Sequence, residues 1–257
     1  MLSVEKVEGL VVGETPYSES SKILSVLTRK YGLISILSKG CRKPKSKLRE
    51  ASSKLSLALF NINYRENAIS NCTSADNIYY FKNILMDYKD ISKISYALYI
   101  IEQTVQILRE KDMIYEDIKD IYDMLIAALK KIEEGFNPKI LSNIIELKYL
   151  DFLGVRPSID ACSICGSNQN IVTISTSDFG YVCRGCHTNQ KLVSNDTVKM
   201  LRMLYYVDIT RISKLDIDSA VVKEINQFLE EYYEEHTGLY LKAKNNLKNL
   251  NKIGINV

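Results

Sequence analysis

Four cysteines fall in two pairs, Cys162-Ser163-Ile164-Cys165 and Cys183-Arg184-Gly185-Cys186, with 17 residues between the pairs. Two C-x-x-C knuckles at that distance form the usual signature of a four-thiolate zinc site. A tight turn after each first cysteine lets both sulfurs of a pair point at one ion, and Gly166 and Gly185 offer backbone freedom at such turns. Four Zn–S bonds of about 2.3 Å close a tetrahedron with no position left for substrate. The expected cofactor is therefore one structural Zn2+ on Cys162, Cys165, Cys183 and Cys186, which braces a fold and performs no reaction.

Other chemistries of these sulfurs fit less well. Disulfides need an oxidising compartment, and the N-terminus, MLSVEKVEGLVVG, carries no basic-then-apolar signal segment, so a cytoplasmic setting is expected. A thioredoxin-like pair needs one C-x-x-C opening a helix after a strand, whereas here two pairs bracket polar, β-rich sequence. Cys183 to His187 also spells a c-type haem attachment pattern, but that leaves Cys162 and Cys165 without a role. His187 reads as a surface residue of the second knuckle, with the alternative that it substitutes as a zinc ligand. Cys41 and Cys72 read as small, semi-buried residues.

A second set of residues suits a polyanion. Lys39, Arg42, Lys43, Lys45, Lys47 and Arg49 place six cations within eleven residues, and Gly40 and Pro44 in the same stretch favour a mobile loop over a helix. A cation that replaces a condensed counterion on a sugar–phosphate backbone adds affinity without reading sequence and makes binding salt-sensitive. Lys22, Arg29 and Lys30 extend the candidate patch. Trp is absent, so base stacking falls to Tyr17, Tyr31, Phe60 or Tyr64, each of which also suits a core. The charge distribution agrees. Residues 1–80 hold 12 Lys and Arg against 7 Asp and Glu, whereas the remainder holds 22 against 24.

The elements that must position these groups change character along the chain. At 257 residues with 46% hydrophobic side chains, the chain is long enough for two or three domains. No apolar run approaches the roughly 18 residues of a membrane span, so no membrane partner is expected. Up to about residue 77 the pattern is β: 7–12, 22–28, 33–39, 54–64 and, more weakly, 68–78. Five short strands predict a Greek-key barrel of the oligonucleotide-binding (OB) type, with an SH3-like barrel as its rival. From 78 to 153 apolar residues recur every three or four positions: Ile91 to Leu108, Ile114 to Ile132, and Leu141 to Phe152 after Asn137-Pro138. The cysteine segment, 158–192, is inserted next, with a short hairpin from 171–175 and 180–182. Helices follow at 197–206, 219–236 and 240–250. The expected class is α+β and multidomain. It comprises an OB-type domain at 1–77 and a helical domain at 78–257 that carries the zinc module.

Tyr17-Ser18-Glu19-Ser20-Ser21-Lys22-Ile23-Leu24, Leu27 to Gly32, and Lys39 to Ser46 together resemble the N-terminal barrel of the bacterial recombination mediator RecO family. Leu150-Asp151-Phe152-Leu153-Gly154-Val155-Arg156-Pro157, running into Cys162-Ser163-Ile164-Cys165-Gly166, resembles that family's approach to its zinc module. The resemblance covers essentially the whole chain. It implies a DNA repair and recombination protein of the RecF pathway that binds single- and double-stranded DNA and anneals complementary strands. Its implied partners are RecR, the acidic, apolar-ended C-terminal tail of the single-stranded-DNA-binding protein (SSB), and indirectly RecA, loaded onto coated single strands. It carries Lys39, Arg42, Lys43, Lys45, Lys47 and Arg49 over as DNA-contacting, and implies a cytoplasmic protein associated with the nucleoid during repair.

No enzyme is expected. The thiolates fill the metal, and His187 and His236 are the only histidines. A zinc-ribbon transcription or translation factor is the alternative. It would read duplex DNA or RNA through the ribbon, where Arg184 and His187 are the candidate contacts.

Overall fold

The computed structural model describes residues 4–87, 90–110, 113–239 and 241–252. The chain divides into two compact units, one of 1–89 with 101–133 and the other of 90–100 with 134–257.

The first unit is built on five strands, β1 (Val4–Pro16), β2 (Lys22–Thr28), β3 (Gly32–Ser38), β4 (Ser56–Asn63) and β5 (Ser70–Tyr80). They close into a barrel in the order β1-β2-β3-β5-β4. All pairings are antiparallel except β3 with β5, where Ile36 meets Ser70 and Leu37 meets Asn71. Closure leaves no free edge on the sheet. The alternation that marks strands in the sequence selects the interior. Val7, Val11, Leu24, Val26, Ile36, Ala58, Phe60, Ile62 and Cys72 form one buried cluster. Phe60 is thus a core residue and no stacking platform. Burial, with the Cys41 thiol nearby, pushes the Cys72 thiol up to about 11.

In the same unit lie α1 (Lys82–Met86) and α3 (Tyr115–Glu133). Helix α1 has no side-chain cap of its own. The buried Glu133 carboxylate supplies one, accepting from the backbone N–H groups of Asn83 and Ile84 at 2.8 and 2.9 Å. Ile121, Leu125, Ala128, Leu129 and Ile132 form the expected buried stripe of α3, but Ile114, read as its first member, is exposed. Between α1 and α3 runs α2 (Ile91–Glu110). Its buried side is rotated from the sequence stripe. Of that stripe Ala97 and Ile101 are buried and Ile91 is exposed, while Tyr96, Tyr99, Ile100, Gln103 and Thr104 are buried beside it. A stripe drawn through aliphatic residues alone misses tyrosines that bury a ring and hydrogen-bond through the hydroxyl.

The second unit holds α4 (Pro138–Leu153), the hairpin β6 (Ile171–Ser175) and β7 (Gly180–Cys183), α5 (Asn195–Tyr206), α6 (Ser219–His236) and α7 (Lys242–Lys252). The expected start of α7, Tyr240, lies outside the described residues. Helix α4 begins where the sequence places it. The Asn137 side chain accepts from Lys139 and Ile140, Pro138 occupies the first turn, and Gly154 ends the helix at φ 75°. Ser194 and Asp218 cap α5 and α6 in the same way.

A charged group is buried inside this unit. Glu146 of α4 accepts from the Tyr99 hydroxyl and from Lys244 Nζ at 2.9 Å. The Tyr233 hydroxyl donates to the Glu146 carbonyl at 2.8 Å, and the Lys244 ammonium lies 5.2 Å from the centre of the Tyr233 ring. Together with buried Leu241 and Leu247, this network seats an otherwise polar α7. Among the described residues no helix is long and apolar enough to cross a membrane.

Candidate metal centre and nucleic-acid interface

The cysteine sulfurs converge. All four Sγ atoms lie within 4.8 Å of one another, and Cys165 and Cys183 approach to 3.7 Å. A tetrahedron with Zn–S bonds of about 2.3 Å has edges of about 3.8 Å, so the arrangement fits a zinc ion. The separation is far from the roughly 2.05 Å of a disulfide. Local turns explain the convergence. Gly166 adopts φ +74° and donates to the Cys162 carbonyl at 2.9 Å, closing the first knuckle. In the second knuckle Cys186 and His187 both donate to the Cys183 carbonyl, and Gly185 takes no left-handed conformation. Burial would raise the Cys162 thiol, but the N–H groups of Cys183, Cys165 and Ile164 outweigh it and lower the value to about 6. Contacts with Cys165, burial and contacts with Cys183 and Cys162 push Cys186 up to about 12. A cation bound among them would draw all four sulfurs to the thiolate form.

His187 is committed elsewhere, its Nε2 lying 2.9 Å from the Gln190 carbonyl. It does not join the four sulfurs. His236, read from sequence only as a histidine without a catalytic partner, clasps the ribbon. Its Nε2 is 3.0 Å from the Thr176 carbonyl and its ring packs against Phe179, 4.5 Å between centres. The Tyr181 hydroxyl donates to the Val198 carbonyl of α5. Gly180, at φ +145°, lies so close to Ser158 that an added Cβ would sit 2.3 Å from the Ser158 oxygen. The ribbon is therefore tied to α5, α6 and the segment after α4 by these contacts.

The basic residues occupy the barrel. The segment from Lys39 to Leu55 joins β3 to β4. The sequence reads its start as a mobile loop, whereas the structure gives it successive hydrogen-bonded turns, Lys43 to Gly40, Ser46 to Lys43, Arg49 to Ser46 and Ser52 to Leu48. Its small residues face inward. Cys41, Ala51 and Ser52 are buried, and the Ser52 and Ser38 hydroxyls meet at 2.8 Å. The cations face outward. Lys39, Arg42, Lys43, Lys45, Lys47 and Arg49 are all exposed, and none forms an ion pair among the described residues. The β1–β2 turn, unnoticed as a partner in the sequence, holds the segment. Arg42 N–H donates to the Ser20 carbonyl at 2.9 Å, the Arg42 guanidinium to the Ser18 carbonyl at 2.9 Å, and Gly40 N–H to the Ser21 hydroxyl. A Ser-rich run between two strands was the signal available.

The remaining candidates separate. Pro16, Lys22 and Ser38 stand in register across β1, β2 and β3. Lys22 therefore shares an end of the barrel with the basic segment, and it binds Glu14 at 2.8 Å. Arg29 and Lys30 sit in the β2–β3 turn at the other end of those seven-residue strands, about 20 Å away. Both are paired. Arg29 forms a two-bond fork with Asp123 of α3 at 2.8 Å, which raises its pKa further. Lys30 binds Glu5 at 2.7 Å, and that bond, followed by one from Tyr31, holds Glu5 below the usual carboxylate range. Tyr31 stacks on Tyr64, 4.0 Å between ring centres, at this second end. Tyr17 remains at the first end with the free cations.

A closed OB-type barrel, a helical unit and an inserted ribbon whose four sulfurs could hold a metal ion define an α+β protein with a basic segment at one end of its barrel. Known proteins are similar to the chain in sequence. The family model described as Recombination protein O N terminal matches residues 1–81, and Recombination protein O C terminal matches 88–245. Curated proteins named DNA repair protein RecO align over almost the full length. The one from Listeria monocytogenes serotype 4b is 29% identical over 97% of this chain and 96% of its own. That from Exiguobacterium sibiricum is 30% identical over 98% and 99%, and that from Bacillus cereus 31% over 98% and 99%. The chain belongs to the recombination protein O family.

Proposed function

We propose that this chain is a DNA repair and recombination mediator of the RecF pathway. It binds single- and double-stranded DNA without catalysing bond changes, anneals complementary strands, and with RecR helps load RecA onto SSB-coated single strands. The observation that carries the DNA-binding step is the set Lys39, Arg42, Lys43, Lys45, Lys47 and Arg49, exposed and unpaired on one end of an OB-type barrel. Cations with no carboxylate to neutralise them exchange counterions with phosphates, which attracts any sequence and leaves bases free to pair. Family membership supports the pathway. The zinc is scaffold, because four thiolates complete its shell. The setting is the cytoplasm, at the nucleoid during repair.

For the acidic, apolar-ended SSB tail, a cavity of about 540 Å³ on α5 has suitable chemistry. Lys199 borders it together with Arg202, which Asp160 engages at 2.9 Å, and exposed Met203 and Tyr206 offer apolar surface. The test is strand annealing of complementary oligonucleotides, bare and SSB-coated. Acceleration of both is expected. A chain that accelerates neither and binds no DNA in dilute buffer overturns the proposal.

A further inference from the structure

The barrel end that carries the free cations also carries one aromatic ring that the fold does not use. Tyr17 is 61% exposed, the most exposed aromatic side chain of the barrel. Phe60 is core, Tyr31 and Tyr64 stack on each other, and Tyr79 packs edge-on to Phe81. The Tyr17 hydroxyl makes no hydrogen bond among the described residues. Burying a tyrosine contributes to a core; exposing one contributes nothing to the barrel.

Its backbone, by contrast, is fixed. Pro16 restricts the approach to it and is in register with Lys22. Tyr17 N–H donates to the Ser21 carbonyl at 3.0 Å, and Ser18 N–H to the same oxygen at 3.4 Å. The next carbonyl, Ser18, accepts from the Arg42 guanidinium, so the turn bearing the ring and the segment bearing the cations are one assembly. Pro16, Lys22 and Ser38 form a row across three adjacent strands. Tyr17 and Lys39 each lie one residue beyond that row, about 10 Å apart across the sheet. The acidic groups on this end are Glu14, which is spent on Lys22, the exposed Glu19 of the same turn, and the exposed Glu50 of the basic segment, which accepts from Asn77 at 3.2 Å.

We infer that Tyr17 is a stacking platform for one unpaired base, and that it makes this end of the barrel prefer single-stranded over duplex DNA. The inference rests on the DNA-binding reading above and adds to it the strand type and the residue that selects it. The basic segment attracts any phosphate chain equally well. A base face is available only where the strand is unpaired, since in a duplex both faces are covered by neighbouring base pairs. An aromatic ring placed beside a basic track is the combination that retains single strands irrespective of sequence.

The experiment measures binding of the full chain to labelled oligo-dT and to a blunt duplex of equal length, by fluorescence anisotropy at fixed salt. Tyr17→Ala is expected to weaken oligo-dT binding about 5- to 150-fold, the range for one stacked base, and to leave duplex binding unchanged. Tyr17→Phe, which keeps the ring, should bind like the parent. Equal losses on both strand types, or no loss on either, overturn the inference while DNA binding itself stands. A parent chain that binds neither DNA overturns the underlying reading instead. Because Tyr17 is exposed, the circular dichroism of Tyr17→Ala should match the parent.

Discussion

The strongest consequence of the barrel geometry is that its cations are not equivalent. Consider Lys43, Lys45 and Lys47 changed together to alanine, compared with Arg29 and Lys30 changed together. The first three are exposed and bear no ion pair among the described residues. The second two are already neutralised, Arg29 by Asp123 and Lys30 by Glu5. A cation in an ion pair that binds phosphate must release its carboxylate, so little net counterion release follows. For single strands the slope of log K against log salt is about −0.7 per neutralised phosphate, so three lost contacts flatten it by about 2.1. If the two proteins converge near 1 M salt, the triple variant binds about 100-fold more weakly at 0.1 M and about 10-fold more weakly at 0.3 M. On a duplex the flattening is about 2.7. The loss should be the same for every sequence tested. The Arg29 and Lys30 double variant should keep the parental slope, and its stability should change little, since pairs this exposed are offset by solvent screening and side-chain entropy. Anisotropy titrations across a salt series read both numbers directly. A triple variant with the parental slope, or a double variant that flattens it equally, refutes the assignment of the interface to one end of the barrel.

Elemental analysis should find one zinc per chain. A strong chelator should strip hydrogen-exchange protection from the amides of β6 and β7 within 158–192 while the barrel stays protected. Lys244→Ala leaves Glu146 buried without its cation and should cost about 3 kcal/mol in urea unfolding, the low end for a broken buried pair because Lys244 is partly exposed; adding Glu146→Gln should recover part of that loss. Glu224 is held below the usual carboxylate range, chiefly by the Thr197 hydroxyl and also by Ser194 N–H and hydroxyl donors. Since its folded pKa is depressed, its contribution is present above about pH 4.3 and is lost as pH falls through the lower folded value. Glu224→Gln should therefore narrow the thermal-midpoint gap to the parent on acidification, and a gap independent of pH would show that the hydrogen bonds do not favour the charged form.

What the sequence made legible was local. The cysteine knuckles are four-residue turns, and their spacing alone predicts the convergence seen at Cys165 and Cys183. Asn137-Pro138 and Gly154 delimit α4 because caps act within a few residues of the helix end. The barrel class followed from alternation, which is also short-range. Less legible were features decided by partners far along the chain. Glu146 meets Lys244 98 residues away, and nothing in either neighbourhood marks a buried pair. Gln103 and Thr104 are buried on a helix face that an aliphatic stripe does not include.

The basic residues show why this distinction matters for function. Lys22, Arg29, Lys30 and Lys39 are close in the chain, and a linear count puts them in one patch. A strand advances about 3.3 Å per residue, so one seven-residue strand carries the chain to the far end of the barrel and the next brings it back. Lys22 and Lys39 return to the same end, while Arg29 and Lys30 are left at the turn between them. There, Asp123, 94 residues away, neutralises Arg29. Charge sums over a sequence window therefore overstate the interface, because they count cations that have found carboxylates in the fold. Of the candidates in the basic stretch, subtracting the paired ones leaves those on one end of the barrel, where Cys41, Ala51 and Ser52 plug the interior and turn the intervening cations outward. Small residues among the lysines and arginines are thus as necessary to the basic face as the charges themselves. Enlarging Ala51 should displace that face without altering its charge.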